Sequence, residues 1–481
     1  MTDAATRPAA ARRAPSPAAV GAGLAVGLIT AMLLRVRTTP DVDLWLHLRI
    51  GDLLNAGQQF GSGPDPLAAL ADRPYVPTQW LAQRAMAWTW SAAGMTGIQV
   101  VRLLLVLCLG ATVLAVCRLV APTTAAGFAA AVTMFGAAAA WGERPQLLGL
   151  VLFAGVTLLW WRSTLRGAVP WAVVPVTWLW ACVHGSWLLG VAAGGVLLAG
   201  AVADRRLSRR RTVHGALVLV ASVLAAGLTP LGTQVLTEPF TVTALASGSV
   251  NEWARPAPDN PVFVVVLLAA VASGVGLLRS RTHRWTRLFC LLGGLALAIW
   301  MVRTVAFAAV LIAPALAIAL ATLRRRDRPV GRAPGEGIVW ALAAVVAVSL
   351  GGWHIARTPF GPPVSSDLSA ALAATSPAAP LAVDGHAVGW AQWAHRDRRP
   401  LHDLRAEVYS EPVSTAYLAF ADAEPGWEAY AALHGIGTIL AERDSPLDRA
   451  LAQADGWALA AEDHDFRLWR ATAAPSGEGS A

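Results

Sequence analysis

The sequence predicts a polytopic α-helical membrane protein with a small α/β domain at its C-terminal end. Hydrophobic residues make up 56% of the 481-residue chain and charged residues only 14%, whereas soluble domains average about 25% charged residues. Apolar segments of membrane-spanning length recur along residues 17–353. From residue 354 onward, short apolar strands alternate with helical stretches, a pattern typical of a soluble α/β domain.

A helix needs about 20 mainly apolar residues to cross a hydrocarbon layer of roughly 30 Å. We predict about eleven such spans, preceded by a short tail at residues 1–16. The predicted spans are residues 17–37, 98–118, 122–140, 147–161, 168–183, 187–203, 213–230, 261–278, 288–302, 304–322 and 337–353. A cleavable signal peptide is the alternative for the first span, but its length and the ten spans after it favour an anchor.

The basic residues predict the orientation of the chain. All 38 are arginine, and twenty of them fall in six stretches that alternate along one side of the predicted spans. Because short cytoplasmic loops retain positive charge, these stretches place the N-terminus in the cytoplasm. The first outer loop (residues 38–97) and the domain 354–481 are then extracytoplasmic, and the protein lies in the cytoplasmic membrane. Arginines spread over six stretches do not form one nucleic-acid-binding face, so the net charge of +8 does not indicate a nucleic-acid partner.

The polar residues that this topology leaves unexplained all fall on the predicted outer side. They are Asp41, Asp43, His47, Arg49, Gln79 and Trp80 in the first outer loop, and Glu143, Arg144, Gln146, His184, Glu252 and Arg303 between later spans. Ionisable groups at or within a membrane are costly, and they are usually paired or functional. The sequence therefore predicts one site at the outer face.

Asp41 and Asp43 are the candidate acids of this site. A helix that starts near Pro40 and Asp41 places Asp43 and His47 four residues apart on one face. Such carboxylates could accept a proton from a hydroxyl group or hold a divalent cation such as Mg, Mn or Ca. For Asp41, capping of the helix is an equal alternative. For Asp43, a functional role is favoured.

Arg144, Arg303 and His184 are the candidate phosphate ligands. A guanidinium group matches the geometry of a phosphate, and a lipid phosphate arrives at the depth of the membrane surface. A structural ion pair, for instance of Glu143 or Glu252 with Arg303, is the alternative interpretation. His184 could donate to phosphate or carry a proton, and a purely structural histidine is nearly as well supported.

The motifs that the sequence lacks also narrow the function. It contains no Walker loop, no dinucleotide-binding glycine motif after a strand, no HExxH and no GxSxG. The arginine-rich cytoplasmic loops are short and offer no visible site for ATP or a nucleotide sugar. A substrate available outside the membrane, such as a lipid-linked donor, meets this requirement.

The chain resembles the C-type glycosyltransferases, polytopic enzymes that use polyprenyl-phosphate sugars, and in particular an uncharacterised bacterial branch of them. The segments that carry the resemblance are DVDLWLHLRIG at 41–51, QWLA at 79–82, ERPQ at 143–146, WACVHG at 180–185, EW at 252–253, Arg303, and VDG at 383–385, EPGW at 424–427 and RDSPL at 443–447 in the tail. The acidic pair of the first outer loop is the hallmark shared with the family. At Gln79 this chain departs from the branch, which commonly has His-Glu-Trp there.

The resemblance implies an inverting hexosyl- or pentosyltransferase. Its donor would be a polyprenyl-phosphate sugar, and its acceptor a hydroxyl group on a glycan, lipid or protein at the outer face. Asp43 or Asp41 would be the general base. Arg144 and Arg303, helped by His184, His47 or Arg49, would bind the departing lipid phosphate, and the remaining outer polar residues would support the acceptor. An Ala- and Arg-rich chain without lysine is typical of GC-rich genomes such as those of actinobacteria.

Two other functions fit the same residues. A transporter or flippase of lipid-linked or small substrates would place its polar groups near the middle of the membrane, often in inverted repeats. Here the predicted mid-span residues are Ala, Val, Leu and Gly, and this favours the enzyme. A protein that binds lipid-linked glycans without catalysis is the third alternative.

Overall fold

The computed structural model describes residues 40–61, 63–246, 251–323 and 336–472, and over these ranges the protein is mostly helical. The helices of the first part are α1 Asp43–Asn55, α2 Trp80–Val120, α3 Thr123–Gly136, α4 Pro145–Arg166, α5 Val173–Ala181, α6 Trp187–Ala203, α7 Arg209–Ala226, α8 Gln234–Ala246, α9 Pro261–Arg279, α10 Arg284–Trp300, α11 Val305–Leu323 and α12 Glu336–Arg357. Short 3₁₀ helices at Ala138–Ala140, Asn251–Trp253 and Val302–Thr304 connect some of them.

Five helices in the described ranges are long and apolar enough to cross a membrane, namely α2, α4, α9, α11 with the 3₁₀ turn before it, and α12. Helices α3 and α6 are apolar but shorter. The chain is thus a multi-pass membrane protein, and the number of eleven spans stays a prediction. The first predicted span, 17–37, and the arginine stretches near residues 7–13 and 324–332 lie outside the described residues.

Three helices differ from the predicted spans. Helix α2 begins at Trp80, well before the predicted start at 98, and Gly94 interrupts it with a left-handed φ of 55°. The first outer loop therefore contains helical structure at both of its ends. Helix α5 is only nine residues long. Helix α8 was not predicted, since Pro239 lies inside it and its contacts with the tail are not visible in the local sequence.

Helix α11 forms the centre of the bundle, because it is buried over nearly its whole length and contacts α3, α9 and α10. Small residues allow the helices to approach closely. A Cβ atom added to Gly276 would lie 2.4 Å from Ala319 Cβ, and one added to Gly200 would lie 2.4 Å from Thr286 Cα. Larger side chains at these two glycines would push the helices apart.

The tail folds around a four-stranded sheet in the order β1-β2-β4-β3, with strands β1 Leu381–Val383, β2 Thr438–Glu442, β3 Trp457–Glu462 and β4 Phe466–Ala471. Strands β1 and β2 are parallel, and the other two pairs are antiparallel. The helices of this part are α13 Ser366–Ala373, α14 Val388–Ala394, α15 Glu411–Ala421, α16 Trp427–Leu433 and α17 Pro446–Leu451. The mixed α/β pattern predicted for the tail is present, although the β3-β4 hairpin was not predicted.

The tail packs directly on the first outer loop. Helix α14 contacts α1, and the rings of Trp45, Trp90 and Trp393 meet with centroids 4.8 to 5.4 Å apart. The guanidinium of Arg405 in the tail lies 2.7 Å from Asp65 in the loop and 2.7 Å from Asp403. All three of these charged side chains are almost completely buried. Apolar packing and a buried ion-pair network thus hold the two regions together.

Candidate functional site

Arg144 lies at the centre of three carboxylates. It directly precedes α4, whose first residue is Pro145. Its Nε atom lies 2.6 Å from Asp41 Oδ1 and 3.2 Å from Asp43 Oδ2. Its Nη1 atom lies 2.7 Å and 2.8 Å from the two carboxylate oxygens of Glu252. The structure therefore joins the start of α1, the connection before α4 and the Asn251–Trp253 turn through one guanidinium.

The two acids at the start of α1 have different environments. Asp41 is 3% exposed; its carboxylate binds Arg144 and also accepts a hydrogen bond from the backbone N–H of Asp43 at 3.2 Å. The ion-pair interpretation of Asp41 is thus present in the structure. The N-cap position of α1 is Val42, and Asp41 lies one residue before it. The side chain of Asp43 is 27% exposed. Burial raises the pKa of Asp43 above its usual value, although the nearby charge of Arg144 opposes this shift.

A buried polar network behind Asp41 was missed in the sequence. The backbone N–H of Asp41 donates to Glu143 at 3.0 Å. Glu143 also pairs with Arg102 at 3.1 Å and accepts from Gln99 at 2.9 Å. Gln99 and Arg102 are three residues apart inside the predicted span 98–118, and that polar spacing within an apolar run was the available signal. Glu143 supports the position of Asp41, and it faces the protein interior.

Arg303 forms a second polar group with His184. Its Nη2 atom lies 3.3 Å from His184 Nε2, and its guanidinium lies 5.1 Å from the centre of the Trp253 ring. His184 Nδ1 accepts a hydrogen bond from the backbone N–H of Ser186 at 3.0 Å and lies 2.8 Å from Ser186 Oγ. Burial lowers the pKa of His184 well below its usual value, so the ring is neutral at pH 7. Gln146 donates to the Arg303 carbonyl at 3.4 Å.

The charges of both groups act on His47. Burial and the charges of Arg144 and Arg303 lower the pKa of His47 to about 3. Its Nδ1 accepts a hydrogen bond from Gln83 at 3.2 Å, and Gln83 also donates to the Tyr75 hydroxyl at 3.3 Å. A neutral, hydrogen-bonded imidazole of this kind fixes the face of α1 on which Asp43 lies.

A cavity of about 380 Å³ opens beside Arg303 and His184. Its polar wall combines side chains from the first loop, the turn before α6, the Val302–Thr304 turn and the tail, and its remaining walls are largely apolar. The polar lining includes Tyr75, Gln79, His184, Arg303, Glu238 and Glu407, and the apolar lining includes Leu188, Leu189, Phe240, Val242, Trp300 and Phe307. Glu407, which the tail contributes, carried no signal in the sequence.

The other predicted residues are placed less centrally. Gln79 lines the cavity, and Trp80 begins α2 next to it. Arg49 is not brought to the site, since its side chain donates to the carbonyl of Arg396 in the tail.

The carboxylates do not form a cation site in this arrangement. The space that a cation would share between Asp41 and Asp43 is taken by the Arg144 guanidinium. No group of three or more His, Cys, Asp or Glu side chains within the described ranges is arranged to hold a metal ion.

Comparison with known proteins finds no matching family model and no matching curated protein. Solved structures do match. The oligosaccharyltransferase AglB from Archaeoglobus fulgidus, in complex with an inhibitory peptide and a dolichol-phosphate, is 13% identical with a TM-score of 0.52, over 88% of this chain and 69% of AglB. ArnT from Cupriavidus metallidurans bound to undecaprenyl phosphate is 15% identical with a TM-score of 0.53, over 96% of this chain and 99% of ArnT.

A third match is the arabinofuranosyltransferase AftD from Mycobacteria, which is 15% identical with a TM-score of 0.52. This match covers 96% of the chain and 40% of AftD, so the chain spans less than half of that longer protein. At these identities the likeness concerns the fold, and it extends over the bundle and the tail together. The chain has the fold of the C-type glycosyltransferases.

Proposed function

We propose that the protein is a membrane glycosyltransferase that moves a sugar from a polyprenyl-phosphate donor to an acceptor hydroxyl at the extracytoplasmic face. The observation that supports this most strongly is the cavity in which Arg303 and His184 meet a largely apolar wall. A phosphate ligand beside apolar surface matches a lipid phosphate. Two structural neighbours were solved with dolichol-phosphate and undecaprenyl phosphate, and this agrees with such a donor.

Arg303 is the better candidate for the phosphate. Its guanidinium contacts a neutral imidazole and an indole ring, and neither of these neutralises its charge. A phosphate bound there would accept charge-assisted hydrogen bonds, which are stronger than bonds between neutral groups. The polyprenyl chain would lie along Leu188, Leu189 and Phe307. As the sugar leaves, Arg303 would stabilise the charge that develops on the departing phosphate.

Arg144 has a different role in this proposal. Three carboxylates surround its guanidinium, so a lipid phosphate would have to compete with all of them. We assign it to positioning: its charge favours the ionised form of Asp43, and its Nε atom holds that carboxylate at 3.2 Å. This differs from the phosphate-binding role that the sequence indicated.

Asp43 is the proposed general base. Asp43 is more accessible than Asp41. Asp41 is 3% exposed, its backbone N–H donates to Glu143, and its carboxylate accepts from Arg144. Asp43 would take the proton of the acceptor hydroxyl as its oxygen forms a bond to the anomeric carbon. The bond from that carbon to the phosphate oxygen breaks with its electron pair, which leaves with the polyprenyl phosphate. Attack from the opposite face inverts the anomeric centre.

A proteoliposome assay tests this function. Purified protein is supplied with undecaprenyl phosphate carrying a labelled sugar, in a panel of hexoses and pentoses, and with envelope glycan fragments as acceptors. The proposal expects label on an acceptor, in the inverted configuration by NMR. Movement of labelled lipid between leaflets without transfer would instead indicate a flippase, and saturable binding without either would indicate a binding protein.

A further inference from the structure

We propose that Glu407, which the tail inserts into the membrane-edge cavity, determines sugar specificity by accepting hydrogen bonds from the hydroxyl groups of the donor sugar. The inference rests on the proposed function, since it assumes a glycosylated lipid phosphate in that cavity. In this proposal the tail takes part in recognising the donor, through Glu407.

The position of Glu407 is fixed by the first outer loop. Glu407 lies in the 3₁₀ helix Ala406–Val408. On one side of it, Arg405 is anchored between Asp65 and Asp403, each at 2.7 Å. On the other side, the carbonyl of Val408 accepts from the backbone N–H groups of Asp72 at 3.1 Å and Arg73 at 3.0 Å. Both flanks of the glutamate are therefore held, as a specificity residue requires.

Glu407 shares the cavity with the proposed phosphate ligands. Arg303, His184 and Glu407 line the same 380 Å³ space, and the charges of Glu407 and Arg303 interact across it. In a polyprenyl-phosphate sugar, the sugar is bonded to the phosphate itself. A phosphate on Arg303 with its lipid chain on the apolar wall leaves the remaining polar wall, with Tyr75, Gln79 and Glu407, for the sugar.

The chemistry of Glu407 suits a sugar ring. A carboxylate accepts from two neighbouring hydroxyls and offers no donor of its own when ionised. Within the described ranges, no arginine lies within ion-pair distance of Glu407 or of Glu238, the other carboxylate of the cavity. Burial raises the pKa of Glu407 to about 7, while the nearby Arg405 opposes and Asp403 and Glu238 reinforce this shift. Glu407 is partly exposed, so a carboxylate without an ion-pair partner is available there to accept hydrogen bonds from the hydroxyls of a ligand.

The test compares lipids with and without a sugar. Wild type and Glu407→Gln are purified in nanodiscs, and their affinities are measured for undecaprenyl phosphate and for the same lipid carrying glucose, mannose, galactose or arabinose. Glu411→Gln is the matched control, because Glu411 is an exposed glutamate four residues further along the tail. We expect Glu407→Gln to weaken binding of the sugar-lipid that the wild type prefers by roughly 10- to 100-fold. Bare undecaprenyl phosphate should bind equally to all three proteins, which also shows that the variant is folded.

Other results would overturn the proposal. Equal loss of both lipids in Glu407→Gln would indicate a structural role, and unchanged donor binding with a raised acceptor KM would place Glu407 at the acceptor. A wild type that binds all five lipids equally would show that no residue recognises the sugar. If the wild type bound none of the lipids, the proposed function itself would fail, a result distinct from the other three.

Discussion

The Nε atom of Arg144 lies 2.6 Å from Oδ1 of Asp41, and the same guanidinium holds Asp43 and Glu252. The arginine thus forms the centre of the acidic group, and it takes the position that a divalent cation could have occupied. Asp43, unlike the nearly buried Asp41, combines contact with this arginine and a partly exposed carboxylate that could meet an acceptor hydroxyl. Glu252 is also partly exposed, and it lies on the other side of the guanidinium, at Nη1.

Replacing Arg144 with glutamine should impair both folding and catalysis. Removing one partner of a buried ion pair costs about 3–5 kcal/mol, because the remaining charges stay buried without compensation. Without Arg144, the raised pKa of Asp43 should rise further. The acid limb of the kcat profile should therefore move to higher pH, which a pH series on protein that is still folded would detect. An unshifted limb with reduced kcat would contradict the positioning role.

Replacing Arg303 with glutamine should weaken binding of the lipid phosphate. Hydrogen bonds to charged groups contribute about 1.5–3 kcal/mol, so we expect undecaprenyl phosphate to bind roughly 10- to 100-fold more weakly. Arg255→Gln is the control, since Arg255 is exposed and near in sequence to Trp253. The affinity of both variants for undecaprenyl phosphate is measured in nanodiscs. Equal effects of the two substitutions would refute a specific role for Arg303.

The pH profile of wild-type sugar transfer should show no inflection caused by titration of a histidine. Burial lowers the pKa of both histidines, that of His47 to about 3 and that of His184 well below its usual value, so neither titrates in the usual range of histidine. Asp43 must be ionised to accept a proton, and its pKa is raised by burial, so activity should fall as the pH drops through that raised value. Substituting His184 with asparagine should reduce the rate and leave the shape of the profile unchanged; a changed shape would assign the titration to His184.

Transfer should persist in the presence of EDTA. The positive charge between Asp41 and Asp43 is already supplied by Arg144, so a divalent cation would have to displace a guanidinium held at 2.6 Å. Titration of the purified protein with Mn²⁺, followed by electron paramagnetic resonance, should show no tight site. Loss of transfer in EDTA that is restored by Mg²⁺ or Mn²⁺ would count against this arrangement.

The buried pair between the tail and the first loop should contribute strongly to stability. Arg405→Met leaves Asp65 and Asp403 buried without their cation, and we expect a loss of about 3–5 kcal/mol. Arg443→Met breaks a more exposed pair with Glu462 and should cost at most about 1 kcal/mol. Thermal unfolding of both variants in the same detergent measures the difference. Similar melting temperatures would mean that the buried network adds little.

The sequence singled out the candidate residues of the site, and it did not predict their contacts. Charge at a membrane edge is costly wherever it occurs, so Asp43, Arg144 and Arg303 could be recognised from their positions alone. Which carboxylate meets which arginine depends on helix packing. The alternative interpretation named Glu143 or Glu252 as a partner of Arg303, and in the structure Glu252 pairs with Arg144 and Glu143 with Arg102. Glu407 has no local signal at all, because only the docking of the tail on the first loop brings it to the cavity.

The same reasoning explains which helix boundaries were predicted well and which were not. Apolar runs located α4, α6 and α9 closely, since hydropathy measures burial in lipid directly. The start of α2 and the whole of α8 were missed because these segments lie at the bundle edge, where polar residues and Pro239 weaken the apolar pattern. Helix α8 contacts the tail, and these contacts join segments that are far apart in the sequence. A prediction from neighbouring residues alone does not include them.

The most direct test of the account is the rate of sugar transfer by Asp43→Asn. The variant keeps the volume of the side chain and removes the base, so transfer should fall by at least about 10²-fold. Binding of undecaprenyl phosphate and the melting temperature should stay close to those of Asp52→Asn, a control on the same helix whose carboxylate pairs with Arg396 at the surface. Transfer by Asp43→Asn at the rate of that control would contradict the assignment of Asp43 as the general base.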